Sequence, residues 1–211
     1  MPRAMLAALA IACLVFTACD DDPAEPKKVT PSAYQDLTQE WHVLNNLAEA
    51  YDDKNVTRFE ELLDAASFVF YFDPGDVGGQ LNIPTQWDYA AELQSATNMF
   101  TGEPGLNDNP ILTIDLFLFD IENVAWSDVS AHPDFPGETL REAVVRYDYF
   151  IDTTKDLQHI TAGEPVARLI VRNVGGTWKI ARWYDQPGGA LLRAGASTEE
   201  STWGQVKALY R

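Results

Sequence analysis

Cysteine is nearly absent from this 211-residue chain: there are two, Cys13 and Cys19, both among the first twenty positions. The rest of the chain therefore has neither a disulfide framework nor a cysteine-based zinc site. Histidine is almost as scarce, and His42, His132 and His159 show no HExxH or HxH spacing. A metal centre would have to be assembled from carboxylates alone, and neither a metal nor a cofactor is expected. Basic residues are few, 15 against 32 acidic ones, giving a formal charge of −17. Such a surface repels phosphate backbones and anionic headgroups, and no Lys/Arg cluster offsets it, so nucleic acid is excluded as an expected partner. The chain also lacks an apolar run of the roughly 20 residues that a spanning helix needs. Its longest, Ala4 to Phe16, is too short.

What is present at that end is an address. One cation, Arg3, precedes the apolar stretch, and small residues follow it, the layout of a secretory signal peptide over residues 1–18. Phe16-Thr17-Ala18-Cys19 resembles the lipobox of bacterial lipoproteins, with Phe where Leu is usual. That resemblance implies cleavage before Cys19, lipidation of its thiol, and a chain held in the cell envelope. Two or more acyl chains give stable membrane attachment where one does not, so a diacylglyceryl Cys19 needs no basic patch. Residues 19–31 hold the lipidated Cys and an acidic, proline-bearing stretch, DDDPAEPKKVTP, which reads as a tether. The side of the membrane, periplasm or exterior, and the choice of membrane stay open.

Hydrophobic content of 46% with 11% aromatics is enough for one core, and residues 32–211 read as a single domain. Tyr34 to Asp52 places Leu37, Trp41, Leu44, Ala48 and Tyr51 on one helical stripe. Asn55 is placed to cap a second helix with Phe59, Leu62, Leu63 and Ala66 inward. Phe68 to Phe72 is an aromatic strand stopped by Asp73-Pro74-Gly75. Pro84 suits the first turn of a third helix that runs to Phe100 and buries Trp87. Ile111 to Trp126 reads as one long bent strand. Leu140 to Asp152 alternates, with Ala143, Val145, Tyr147, Tyr149 and Ile151 on one face. Pro165 to Asn173 and Thr177 to Tyr184 form a hairpin about Gly175-Gly176. Thr198 to Tyr210 reads as a short terminal helix. The class is α+β: three N-terminal helices packed on a curved antiparallel sheet, with a short C-terminal helix.

This order, with FVFYFDP closing the first strand and GTWKIARWYDQP forming the last, resembles the NTF2-like superfamily and its SnoaL-like and ketosteroid-isomerase-like branches. The resemblance implies a cone whose sheet wraps a long helix around a pocket. It also implies a choice of roles, since members include isomerases, dehydratases and modules that only bind or assemble. In the isomerase-like branch the general base is an Asp in an Asp-Pro step after the first strand, where this chain has Asp73-Pro74. The branch also needs an oxyanion hole from a Tyr and a protonated acid. The matching positions here hold Leu47, with Tyr51 a turn too late, and Arg168 or Ile170.

The candidate pocket residues are thus Asp73, Arg146 and Asp148 on one strand face, Arg182 on the last strand, and Trp87 and Tyr184 as aromatic walls. Arg182 and Asp185 fall on opposite sides of their strand, so at most one of them points inward. The sequence supports a lipid-anchored domain that binds a small apolar or amphipathic ligand, or a partner protein, without covalent chemistry. Two alternatives stand beside it. One is a lyase or isomerase with Asp73 as base and Arg146 or Arg182 steadying negative charge. The other is an envelope assembly module that forms a homodimer through its open sheet face.

Overall fold

The two N-terminal helices are set by their caps. In a computed structural model, which describes residues 34–155, 157–160 (main chain only), 166–186 and 202–211, α1 spans Glu40–Asp52 and α2 spans Val56–Leu62. Asn55 caps α2 by accepting from the Arg58 amide at 3.1 Å, as its spacing predicts. The expected helix from Tyr34 starts late for a specific reason. The Asn46 side-chain amide on α1 grips the Gln35 main chain, accepting from its N–H at 2.9 Å and donating to its carbonyl at 2.8 Å. Trp178 N–H donates to the Leu37 carbonyl at 2.7 Å. Residues 34–39 are thereby held outside the helix, and the buried stripe becomes Val43, Leu44, Leu47, Ala50 and Tyr51, leaving Trp41 46% exposed. Ala66, expected inward, is exposed in the turn beyond α2.

β1 (Val69–Tyr71) is the FVFYF strand, with Phe68, Phe70 and Phe72 buried. It pairs antiparallel with β2 (Gln86–Asp88), an element that the expected helix from Pro84 conceals. Asp88 is the true start signal: its carboxylate accepts from the Ala91 N–H at 3.0 Å, opening α3 (Tyr89–Thr101). Gly102, at φ +73°, closes that helix in the left-handed conformation glycine favours. The long strand expected from Ile111 is interrupted. β3 (Ile111–Leu118) ends before Asp120, whose positive φ of 52° turns the chain into a single 3-10 turn, and β4 is only Trp126–Asp128.

β5 (Leu140–Thr153) is the spine of the sheet. Its first half pairs with β4 and β7 (Val166–Val174), its second half with β3 and β6 (Leu157–Ile160). The β7–β8 hairpin turns through Gly175 and Gly176, both at positive φ, into β8 (Thr177–Gln186). The main path of the sheet is β2-β1-β8-β7-β5-β3. The class is α+β as expected, but the sheet is mixed rather than antiparallel, because β1 lies parallel to β8. Four α-helices are present among the described residues, and only α1 and α2 precede the first strand.

Strand alternation assigns the two faces. Ala143, Val145, Tyr147, Tyr149 and Ile151 of β5 share one face, as their spacing predicts, and that face is the buried one, with Ala167, Leu169 and Val171 of β7 and Ile180 and Trp183 of β8 beside them. They pack on α1 and α3, and each large apolar side chain so buried contributes about 1.5–3 kcal/mol. A smaller apolar group of Phe135, Leu140, Ile170 and Ala181 sits on the other face. The last element, α4 (Trp203–Leu209), is capped by Thr202 and buries Trp203, Val206, Lys207 and Ala208 in the main core. Cys19, the signal peptide, the tether, Pro165, and the segments 187–189 and 198–201 lie outside the described residues.

Candidate functional site

The inner face of the sheet carries a ring of aromatics around a set of buried charges, and α4 lies among them. Trp203 stacks on Tyr149 with ring centroids 3.7 Å apart and meets Tyr51 edge-on at 5.5 Å. One turn later Lys207, fully buried, places its ammonium 3.9 Å from the Phe70 ring centroid and 4.1 Å from that of Trp183. Its Nζ donates to Glu92 Oε1 at 2.5 Å, and Glu92 Oε2 accepts from Trp87 Nε1 at 2.8 Å. Glu92 comes from α3 and is also fully buried. Burial lowers the Lys207 pKa, and Glu92 opposes that shift.

Beside this pair stands Asp185, near the end of β8. It accepts from the Tyr147 hydroxyl at 2.5 Å and from the Gly204 N–H at 3.1 Å. Burial pushes its carboxyl up to about 7 against the opposing pull of the Tyr147 hydrogen bond and Lys207. Burial likewise raises Tyr147 well above the ordinary tyrosine value, with the Asp185 charge adding to it. Asp76 accepts from the Thr202 hydroxyl and, at 3.0 Å, from the Gln205 side chain. Two carboxylates thus hold the start of α4, and Gly204 is what admits the helix. A Cβ there would stand 2.8 Å from Phe72 Cδ1 and 3.1 Å from Asp76 Oδ2. The far end is fixed as well: Ser95 donates to the Lys207 carbonyl at 2.9 Å and Tyr210 to the Asn109 carbonyl at 2.5 Å.

The residues singled out from sequence do not converge. Trp87 joins the inner cluster through Glu92. Asp73 is buried, but its Oδ1 accepts from the Gly75 N–H at 2.8 Å, so the carboxylate caps its own turn. Arg146 and Asp148 do share a strand face, yet it is the outer one: Arg146 is exposed and meets Asp120 at 3.2 Å. Arg182 and Tyr184 also face outward. The Arg182 guanidinium lies over Phe135 at 4.6 Å and donates to Asp134 at 2.6 Å. Tyr184 stacks on Tyr71 at 4.5 Å under the Arg168 guanidinium. Of the pair expected to divide, Asp185 is the inward one.

Glu92 and Lys207 are not among the candidates named from sequence, yet both carry a sequence signal. Lys207 is four residues after Trp203 on the apolar stripe of α4, and Glu92 falls on the α3 stripe with Ser95, Ala96 and Met99. A charged residue on a buried stripe asks for a partner of opposite sign.

The isomerase-like constellation is not assembled. The inward positions of β7 are Ala167, Leu169 and Val171, so no acid stands where the oxyanion hole would need one, and Arg168 turns outward to Glu142 at 2.7 Å. Tyr51 does reach the interior, where its hydroxyl has no hydrogen-bond partner among the described residues. Those residues include no group of three or more His, Asp or Glu placed to hold a metal ion. Open surface cavities of about 470 and 370 Å3 lie elsewhere, beside Glu138 and Arg172 and beside Tyr34 and Arg58.

No protein-family model matches this chain, and no curated protein matches it. Solved structures similar to it include a nuclear transport factor 2 (NTF2-like) superfamily protein from Salmonella enterica serovar Typhimurium, at 14% identity over 76% of this chain and 97% of that one, with a TM-score of 0.48. A protein of the NTF2-like family from Streptomyces avermitilis is 14% identical over 72% of this chain and 94% of that one, with a TM-score of 0.48. An NTF2-like protein of unknown function from Shewanella oneidensis is 11% identical over 68% of this chain and 93% of that one, with a TM-score of 0.42.

Proposed function

We propose that this protein is a lipid-anchored component of the cell envelope, held by Cys19, whose NTF2-like domain binds a small amphipathic ligand or a partner protein without covalent chemistry. The observation that carries the reading is the make-up of the interior. It is walled by Tyr51, Phe70, Tyr149 and Trp183, carries a few fixed polar groups, and contains part of the chain's own terminus. Mostly aromatic walls with few convergent polar groups are the chemistry of a binding cavity. Asp73, the carboxylate that an isomerase-like reaction would use, is committed to its own turn.

Thermal shifts with a panel of amphipathic small molecules, followed by mass analysis of the recovered ligand, test the binding half. A stabilising ligand recovered unchanged is the expected result. A converted ligand, with conversion lost in Asp73→Asn, would establish the isomerase-like alternative instead. Cys19→Ser tests the anchor: the variant should leave the membrane fraction, and a variant that stays bound would sink the lipoprotein reading.

A second reading, assembly through the outer sheet face, draws on Phe117 and Val144, which are 54% and 53% exposed there. Light scattering at high concentration separates the two, since a monodisperse monomer removes the dimer.

A further inference from the structure

We propose that the space filled by Trp203 and Lys207 is a site for an amphipathic organic cation, an aryl group carrying an ammonium about two carbons away, and that α4 is its resident occupant. The inference rests on the reading that the interior is a binding cavity, and it names the ligand class. The ammonium subsite is built by three elements other than α4: Phe70 on β1, Trp183 on β8 and Glu92 on α3. Aromatic faces with one carboxylate recognise a desolvated cation, because the ring quadrupoles and the charge act together. The ring subsite is the face of Tyr149, with Tyr51 at its edge, and Trp203 fills it. The Lys207 ammonium is 5.3 Å from the Trp203 ring centroid, the reach of a two-carbon spacer.

Two further observations separate this seat from ordinary core. A fully buried ion pair is seldom the most stable filling, since apolar residues of similar volume are often as good or better. The walls also hold polar groups that α4 leaves unused. Tyr51 Oη, Tyr149 Oη and Trp183 Nε1 are buried without a hydrogen-bond partner among the described residues, and so is Trp203 Nε1. Each such group costs free energy that a ligand with a matching hydroxyl or carbonyl would recover. The chain's charge of −17 draws cations toward it.

The test uses the full-length protein in detergent and three probes of similar size: phenethylamine (cationic), phenethyl alcohol (neutral) and phenylacetate (anionic). In the double variant Trp203→Ala/Lys207→Ala, phenethylamine should bind at least ten-fold more tightly than to the unaltered protein. Adding Glu92→Gln should reverse that gain, and the other two probes should gain little. A folded double variant that binds all three probes alike, or none, overturns the proposal. If the double variant does not fold, hydrogen exchange on the unaltered protein decides. Saturating phenethylamine, and not phenylacetate, should speed exchange of the Val206 and Tyr210 amides; unchanged exchange overturns the proposal. Loss of the cation preference while neutral amphiphiles still bind removes this inference alone. Absence of binding by any of them removes the binding reading as well.

Discussion

Trp203 lies flat on Tyr149, centroids 3.7 Å apart and ring planes 14° from parallel, so an indole from the terminal helix is stacked on the central strand of the sheet. Both rings are almost wholly buried. A seven-residue helix has little stability of its own, and α4 is held by what it touches. Trp203→Ala removes the largest of these contacts and leaves a cavity against Tyr51 and Tyr149. The expected loss is about 3–5 kcal/mol in denaturant unfolding. A loss below about 1 kcal/mol would mean that the helix contributes little to the core.

Glu92 and Lys207 form a pair whose members cannot be removed singly at low cost. Lys207→Met leaves Glu92 buried with Trp87 as its one hydrogen-bond partner among the described residues, while Glu92→Leu leaves the ammonium to its aromatic neighbours. Each single change should cost about 3–5 kcal/mol, whereas the double change Glu92→Leu/Lys207→Met should recover most of that or exceed the parent. Chemical denaturation of the four proteins as a double-mutant cycle reads this directly. Additive losses would show that the two charges do not act as a pair.

The fold was largely legible where one physical signal dominated. Alternation along Leu140–Asp152 divides β5 into its two faces, because a half-buried strand repeats every second residue and nothing competes with that period, but it does not say which face is the inner one. Asn55 and the Gly175-Gly176 turn were equally plain, since each chemistry fits one backbone geometry. Legibility ended where tertiary contacts overrode local pattern. Nothing within residues 34–39 announces that Asn46 and Trp178 hold that segment out of the helix. β2 was hidden because three residues beside a proline carry no period, and its pairing partner Phe70 is remote in sequence. The site was less legible still. Arg146, Asp148, Arg182 and Tyr184 have the right chemistry on the outward side, and the side is set by register, which single residues do not declare. The inward charges sit on stripes that would otherwise be assigned to core packing.

Gly204 is a position where helix propensity and packing pull in opposite directions. Alanine should favour α4 by up to about 1 kcal/mol on propensity alone. Its methyl group, however, would press on Phe72 at 2.8 Å and on the Asp76 and Asp185 carboxylates at 3.1 and 3.3 Å. Overpacking of that kind costs about 1–3 kcal/mol, so Gly204→Ala should be net destabilising. A raised melting temperature in this variant would show that α4 does not approach β8 as closely as described.

Asp185 gives the domain a pH dependence of defined sign. Its carboxyl rises from 3.8 to about 7 on folding because burial disfavours the charge. Between those values the folded state binds more protons than the unfolded chain, so this group's contribution makes stability fall as pH rises from about 4 to 7 and level off above. A shift of that size corresponds to at most about 4 kcal/mol across the window. Lys207 stands opposite Asp185 with its pKa lowered by burial, and its slope runs the other way. The difference between parent and Asp185→Asn therefore isolates the carboxylate. Asparagine keeps an acceptor for Tyr147 but cannot ionise, and it should unfold with a shallower decline between pH 4 and 7 at some fixed cost in its Gly204 contact. Parallel stability–pH curves for the two proteins would mean that Asp185 titrates as an ordinary exposed carboxylate and that the start of α4 does not bury it.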